Sequence, residues 1–90
     1  MAEVYISVDI ESAGPIPGKY SMLAVGACEV GQTNQRFYIE IRPINGSFVP
    51  EAMEIVGKPL SYFEQSGEDA KEAMRKFRDW IMLISGERTR

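Results

Sequence analysis

A nearly continuous apolar run at residues 22–28 places the strongest constraint on what this 90-residue chain can fold into. Nearly every position of that run is apolar, which is typical of a strand covered on both faces. Strand-like runs at residues 4–10 and 36–42 lie on either side of it, separated by glycine- and proline-containing turns. Because short connections join neighbouring strands, the sequence predicts an antiparallel meander with the run 22–28 at its centre.

The two flanking strands have different patterns. In the first strand, every second residue is β-branched and apolar, which predicts one apolar face made of Val4, Ile6, Val8 and Ile10. The third strand alternates between core and solvent, as an edge strand does: Phe37, Ile39 and Ile41 face the core, and Arg36, Glu40 and Arg42 face water. The meander leaves one edge of the first strand free, and such an apolar strand makes a poor solvent-facing edge.

Helical patterns follow the third strand. Short helices are predicted at residues 51–56 and 60–65, and a long helix at residues 68–85, capped by Ser66 and ended by Gly86. Three strands followed by an amphipathic helix normally lead into another strand of the same sheet. We therefore expect residues 1–90 to be the front part of a larger α/β domain.

The composition excludes several kinds of site. The chain has 13 acidic and 10 basic residues, a formal charge of −3, one cysteine and no histidine. It therefore cannot form an internal disulfide, a Cys/His zinc site, or a nucleophile activated by histidine. No apolar run is long enough for a membrane span and no signal peptide is recognisable, so we expect a cytoplasmic protein without a membrane partner. The charge by itself does not indicate nucleic-acid binding.

The pair Asp9 and Glu11 is the one constellation with chemical content. Residues two apart on a strand point to the same side, so the two carboxylates repel each other unless a cation lies between them. Hard oxygen ligands suit Mg²⁺ or Mn²⁺, and such a pair can serve a two-metal centre. The alternative is a strand end that emerges into solvent, where acidic residues are common.

The string from Val4 to Gly14, which ends Asp9-Ile10-Glu11-Ser12-Ala13-Gly14, resembles the first motif of the DEDD 3′–5′ exonuclease superfamily. This family includes polymerase proofreading subunits and RNA-trimming exonucleases. The resemblance continues through residues 23–27, the strand ending at Pro43, Gly57 and the helix 68–85. It implies a ribonuclease H-like α/β fold with a mixed sheet, of which this chain holds three antiparallel strands and a crossover helix, an incomplete domain.

The resemblance also implies roles for particular residues. Asp9 would bridge two Mg²⁺ or Mn²⁺ ions, Glu11 would bind one ion and hold the attacking water, and the backbone around Ile10 and Ser12 would contact the terminal nucleotide of a single strand or 3′ end. The family's third and fourth acids, with a histidine or tyrosine base, have no counterpart in this sequence. Half of the metal ligands are thus absent, and we expect residues 1–90 alone to be inactive.

Three functions stay open from the sequence. The first is the N-terminal half of a metal-dependent 3′–5′ exonuclease acting on DNA or RNA. The second is a non-catalytic module on the same fold that binds nucleic acid or protein. The third is a different two-metal nuclease or phosphotransferase, because a fold and paired acids do not dictate the reaction. A homodimer would be one way to cover the free strand edge.

Overall fold

A computed structural model describes residues 3–89, apart from the side chains of residues 32–34 and 87–89. The chain forms three strands and then three helices. In chain order these are β1 (Ile6–Ser12), β2 (Met22–Glu29), β3 (Gln32–Glu40), α1 (Pro50–Val56), α2 (Leu60–Ser66) and α3 (Ala70–Thr89). The two short helices and the long one were predicted within a few residues of these positions.

The strands form one antiparallel sheet in the order β1-β2-β3, which confirms the predicted meander. Within the described part of the chain, β1 pairs with β2 alone, and its other edge is unpaired. The predicted ends were less accurate, because β1 begins at Ile6 and runs on to Ser12, and β3 stops at Glu40. Beyond β3, Ile41 makes an isolated parallel bridge to Glu68, so the segment before α3 continues the pairing.

Helix α3 packs on one face of the sheet. The buried cluster there consists of Val25, Ile39, Ile41 and Ala73. The rings of Phe37, Phe77 and Trp80 extend it, with centroids 5.3 Å apart for Phe37–Phe77 and 5.8 Å for Phe37–Trp80. The core-facing positions predicted for β3 and the packing role predicted for Trp80 are confirmed, whereas Glu40, which was predicted to face water, is half-buried.

A second buried cluster joins the end of β1 to the short helices. Ala13, Leu23 and Phe63 are almost completely buried, and side chains of α1 and α2 pack around them. Gly67, which ends α2, has to be a glycine, because a Cβ there would lie 2.5 Å from the backbone nitrogen of Arg42. Helix α2 is thus held directly against the chain that leaves β3.

Both predicted boundaries of the long helix were wrong. Ser66 is the last residue of α2 and donates its hydroxyl hydrogen to the Tyr62 carbonyl, so it does not cap α3. Asp69 does this instead, because its carboxylate accepts a hydrogen bond from the Glu72 backbone N–H at 3.2 Å. Helix α3 also continues through Gly86, since a helical glycine costs only about 1 kcal/mol and does not by itself end a helix.

The apolar side of β1 is not covered in this chain. Val8 is 46% exposed and Ile10 is 51% exposed. Beside them lies a cavity of about 430 Å³, whose wall includes Ile10, Met22 and Met74. Among the described helices, none is long and apolar enough to cross a membrane.

Candidate metal centre and nucleic-acid site

Asp9 and Glu11 lie on the sheet face opposite to α3. The strand register pairs Asp9 with Gly26 and Glu11 with Ala24, and residues paired in this way share a face. Gly26 has no side chain and Ala24 has only a methyl group. The neighbouring strand therefore leaves space beside both carboxylates.

The two carboxylates differ in exposure, but neither is neutralised by a described side chain. Asp9 is exposed and Glu11 is half-buried. No hydrogen bond or ion pair neutralises either of them among the side chains that the structure describes. Two neighbouring carboxylates without a cationic partner suit a hard divalent cation. The described residues contain no group of three or more histidine, cysteine, aspartate or glutamate side chains that could hold a metal, so these two would form part of a site.

The chain after Glu11 is fixed by hydrogen bonds. The Ser12 hydroxyl donates to the Gly14 carbonyl at 3.0 Å, and the Ala13 N–H donates to the Ser21 carbonyl at 2.9 Å. The Val49 N–H, just before α1, donates to the Ala13 carbonyl at 2.8 Å. These bonds hold the turn beside the carboxylates in one conformation.

Gly14 allows that turn to close. The Tyr20 ring lies against it so tightly that a Cβ at Gly14 would be 2.5 Å from the ring. The Ile10 side chain points to the opposite face of the sheet, away from Asp9 and Glu11, because successive residues of a strand alternate. Any contact between Ile10 and a nucleotide on the carboxylate face would therefore come from its backbone, as the resemblance implies. That contact and the one at Ser12 stay predictions.

A polar network near Glu11 was missed at the sequence level. Glu40 lies in the same row of the sheet as Glu11, with Ala24 between them. Its carboxylate accepts hydrogen bonds from Tyr62 at 2.6 Å, from Tyr38 at 2.9 Å and from Lys58 at 3.1 Å. The sequence placed Glu40 correctly on a polar face, but no periodic signal links it to residues 18 and 22 positions later.

These contacts perturb the ionisation of the network. The hydrogen bond from Tyr62 lowers the pKa of the Glu40 carboxyl most strongly, and the bonds from Tyr38 and Lys58 lower it further against the opposing effect of burial. Desolvation, the hydrogen bond to Glu40 and the charges of Glu40 and Glu11 raise the pKa of Tyr38 to about 12. Tyr38 therefore keeps its hydroxyl proton at neutral pH and remains a donor to Glu40.

The fold of this chain has a counterpart among solved structures. The structure is similar to the crystal structure of cell-death related nuclease 4 (CRN-4), with a TM-score of 0.63 over 88% of this chain and 30% of that one, at 13% sequence identity. This similarity confirms the predicted ribonuclease H-like α/β fold, of which the described residues form three antiparallel strands and their helices. No family model matches the chain.

A relative with a higher sequence identity to this chain is a 3′-5′ exonuclease. The chain is 44% identical over 85 residues to the 3′-5′ DNA exonuclease Cap18 of Escherichia coli. The match covers 94% of this chain and 46% of the relative, so the chain spans about half the length of the relative. The resemblance to 3′–5′ exonucleases that the motifs indicated is thereby confirmed.

Proposed function

We propose that this chain is the N-terminal part of a metal-dependent 3′–5′ exonuclease domain, which hydrolyses the terminal phosphodiester of DNA or RNA. The observation that carries the proposal is the pair Asp9 and Glu11, on one face at the end of β1, without a neutralising partner among the described residues. The match to a 3′-5′ DNA exonuclease supports it. The proposed setting is the cytoplasm, and the proposed partner is a single strand or 3′ end of nucleic acid.

Asp9 and Glu11 are the residues of this chain that would hold Mg²⁺ or Mn²⁺. Their oxygen donors fit such ions, and neither carboxylate is engaged elsewhere among the described side chains, unlike that of Glu40. A bound divalent ion supplies an activated water and stabilises negative charge on the scissile phosphate. A site with two protein ligands should bind Mg²⁺ weakly, because this ion keeps most of its waters and relies on substrate phosphates.

The surrounding residues have positioning roles in this proposal. Glu11 orients the attacking water, and the backbone at Ile10 and Ser12 contacts the terminal nucleotide. The hydrogen bonds from Ser12 to Gly14 and from Ala13 to Ser21 hold that backbone in place before substrate arrives. Preorganisation of this kind lowers the entropic cost of aligning the reacting groups.

Further ligands are required from outside residues 1–90. The unpaired edge of β1 and its exposed Val8 and Ile10 offer a surface on which another strand and its covering layer would bury apolar area. A relative roughly twice as long is consistent with a larger domain. We expect the 90 residues by themselves to bind metal weakly and to cleave no nucleic acid.

Titration with Mn²⁺ tests the metal role without relying on catalysis. The wild-type chain and the Asp9→Asn variant are titrated, and the free ion is followed by its electron paramagnetic resonance signal, which broadens when the ion binds. Asp79→Asn is the matched control, since this exposed acid on α3 is paired with Arg78 at 3.1 Å and lies outside the proposed site. We expect Asp9→Asn to weaken Mn²⁺ binding and Asp79→Asn to leave it unchanged. Equal binding by all three proteins would remove the metal role and favour the non-catalytic module.

A further inference from the structure

Tyr38 occupies the same row of the sheet as Asp9. The register pairs Asp9 with Gly26 and Gly26 with Tyr38, so the carboxylate and the ring lie on one face with a glycine between them. Two inter-strand spacings separate their Cα atoms, roughly 10 Å. Because Gly26 has no side chain, the strand between them leaves this path open.

The Tyr38 ring is exposed and yet fixed. It is 62% exposed, while its hydroxyl donates to Glu40 at 2.9 Å. Glu40 is in turn held by Tyr62 at 2.6 Å and by Lys58 at 3.1 Å. The Cδ1 atom of the ring lies 3.7 Å from the position that a Cβ on Gly26 would take. An aromatic surface held in this way loses little conformational entropy when a flat ligand binds to it.

Arg36 lies one row further along the same face. It is exposed, and the register aligns it with Cys28 and then with Ser7 on β1. Together with Tyr38, Gly26 and Asp9, these residues line a shallow groove of about 290 Å³. One wall of the groove therefore has an aromatic ring and a guanidinium group, and the other wall has the carboxylate proposed to bind metal.

We propose that this groove carries the single strand leading to the 3′ end, with a base stacked on Tyr38 and a backbone phosphate contacting Arg36. The proposal rests on the exonuclease function proposed above and extends it to residues on β3. Alternating aromatic and cationic groups are the usual means of binding single-stranded nucleic acid without sequence preference, because every base has a π-face. The guanidinium charge complements a phosphate, and the groove is continuous with Asp9.

A polypeptide partner fits this groove less well. The apolar surface and the unpaired strand edge, which a protein segment would cover, lie at β1 and on the opposite face around Ile10. The groove itself is floored by Gly26 and Cys28 and walled by polar or aromatic side chains.

The test measures binding of 5′-fluorescein-labelled oligothymidylate to the full chain by fluorescence anisotropy. The buffer contains Ca²⁺ in place of Mg²⁺ or Mn²⁺. Loss of one base stack corresponds to about a 5- to 150-fold weaker affinity, which we expect for Tyr38→Ala. Tyr38→Phe keeps the ring but loses the hydrogen bond that fixes it, so its affinity should lie between those of wild type and Tyr38→Ala. Phe48→Ala is the control, since Phe48 is 50% exposed and lines a separate cavity beside α1. Circular dichroism confirms that each variant is folded.

The phosphate contact has its own readout. Removal of one phosphate contact to a single strand should lower the slope of log K against log salt concentration by about 0.7. We expect this change for Arg36→Gln and no change for Arg78→Gln, whose side chain lies on α3 beside Asp79.

The outcomes separate the two proposals. Wild-type affinity in Tyr38→Ala, an equal loss in Tyr38→Phe, or a larger loss in Phe48→Ala would overturn the stacking role and leave the metal site untouched. An unchanged salt slope in Arg36→Gln would overturn the phosphate contact. If the wild-type chain binds no oligothymidylate while Mn²⁺ binding still depends on Asp9, the groove proposal fails and the metal role stands.

Discussion

The hydrogen bond from Tyr62 to Glu40 is the part of the polar network whose loss is most informative. It joins α2 to the sheet, measures 2.6 Å, and is partly buried. Tyr62→Phe removes the donor and leaves the ring, which packs edge-on against Phe63 with centroids 5.1 Å apart. The substitution therefore tests one hydrogen bond with little change in packing.

The expected cost follows from the charge of the acceptor. A hydrogen bond to a charged group contributes about 1.5–3 kcal/mol. In the variant Glu40 keeps its bonds from Tyr38 and Lys58, both to Oε2, while Oε1 loses its bond from Tyr62. The side chain is still 16% exposed, so water can reach this oxygen and the lower end of that range applies. A loss of about 1.5 kcal/mol in a domain of this size lowers the Tm by about 6–12 °C.

The stability difference between wild type and Tyr62→Phe should also depend on pH in a definite direction. The pKa of Glu40 in the folded chain is lowered below 4.5, chiefly by the bond from Tyr62. A lowered carboxyl pKa contributes stability above the unfolded value, and this contribution is lost as the pH falls through the folded value. The difference between wild type and Tyr62→Phe should therefore be complete at neutral pH and shrink below a pH of about 4.5.

Urea denaturation followed by circular dichroism, at neutral and at acidic pH, measures the free energies of unfolding of wild type and Tyr62→Phe. Tyr38→Phe is the control, because it removes a longer bond of 2.9 Å to the same carboxylate from an exposed ring and should cost less. Equal losses for the two variants, or a Tyr62→Phe difference that does not change with pH, would contradict this account of the network.

Two further predictions concern close packing and ionisation. Gly67→Ala should destabilise the chain strongly, because its Cβ would meet the Arg42 nitrogen and the Ile41 carbonyl carbon at 2.5 Å. Gly46→Ala, where no atom lies within 4 Å, should be close to neutral in the same thermal melts. Spectrophotometric titration should show a tyrosine ionising at about pH 12 that is absent in Tyr38→Phe. Because this pKa is raised above 10.0 in the folded chain, its contribution to stability should be lost as the pH rises from about 10 toward 12. A titration in which no tyrosine ionises late would refute the raised pKa of Tyr38.

The sequence was sufficient to predict the strand order and the carboxylate pair. Both depend on local patterns, since the alternation of Phe37 and Ile39 fixes a face and the spacing of Asp9 and Glu11 places them together. The helix boundaries were predicted less well. Ser66 is a good capping residue in isolation, but it ends α2, and the residue that caps α3 is Asp69, three residues later.

The parts that could not be predicted depend on contacts between distant residues. Tyr62 reaches Glu40 only because α2 folds back over the end of the sheet, and no period in the sequence encodes that distance. Likewise, the alignment of Tyr38 with Asp9 requires the register of two strand pairs, which a single shifted residue would change. The candidate groove thus became visible only in three dimensions.

The position of strand β2 between two buried clusters affects how the folded chain unfolds locally. Leu23 belongs to the cluster under the short helices and Val25 belongs to the cluster under α3, so one strand is shared by both layers. Neither layer can separate without disturbing the backbone on which the other is built. Amide protons of β2 should therefore exchange with solvent only when the whole molecule opens, while those of the free edge of β1 exchange through smaller local fluctuations.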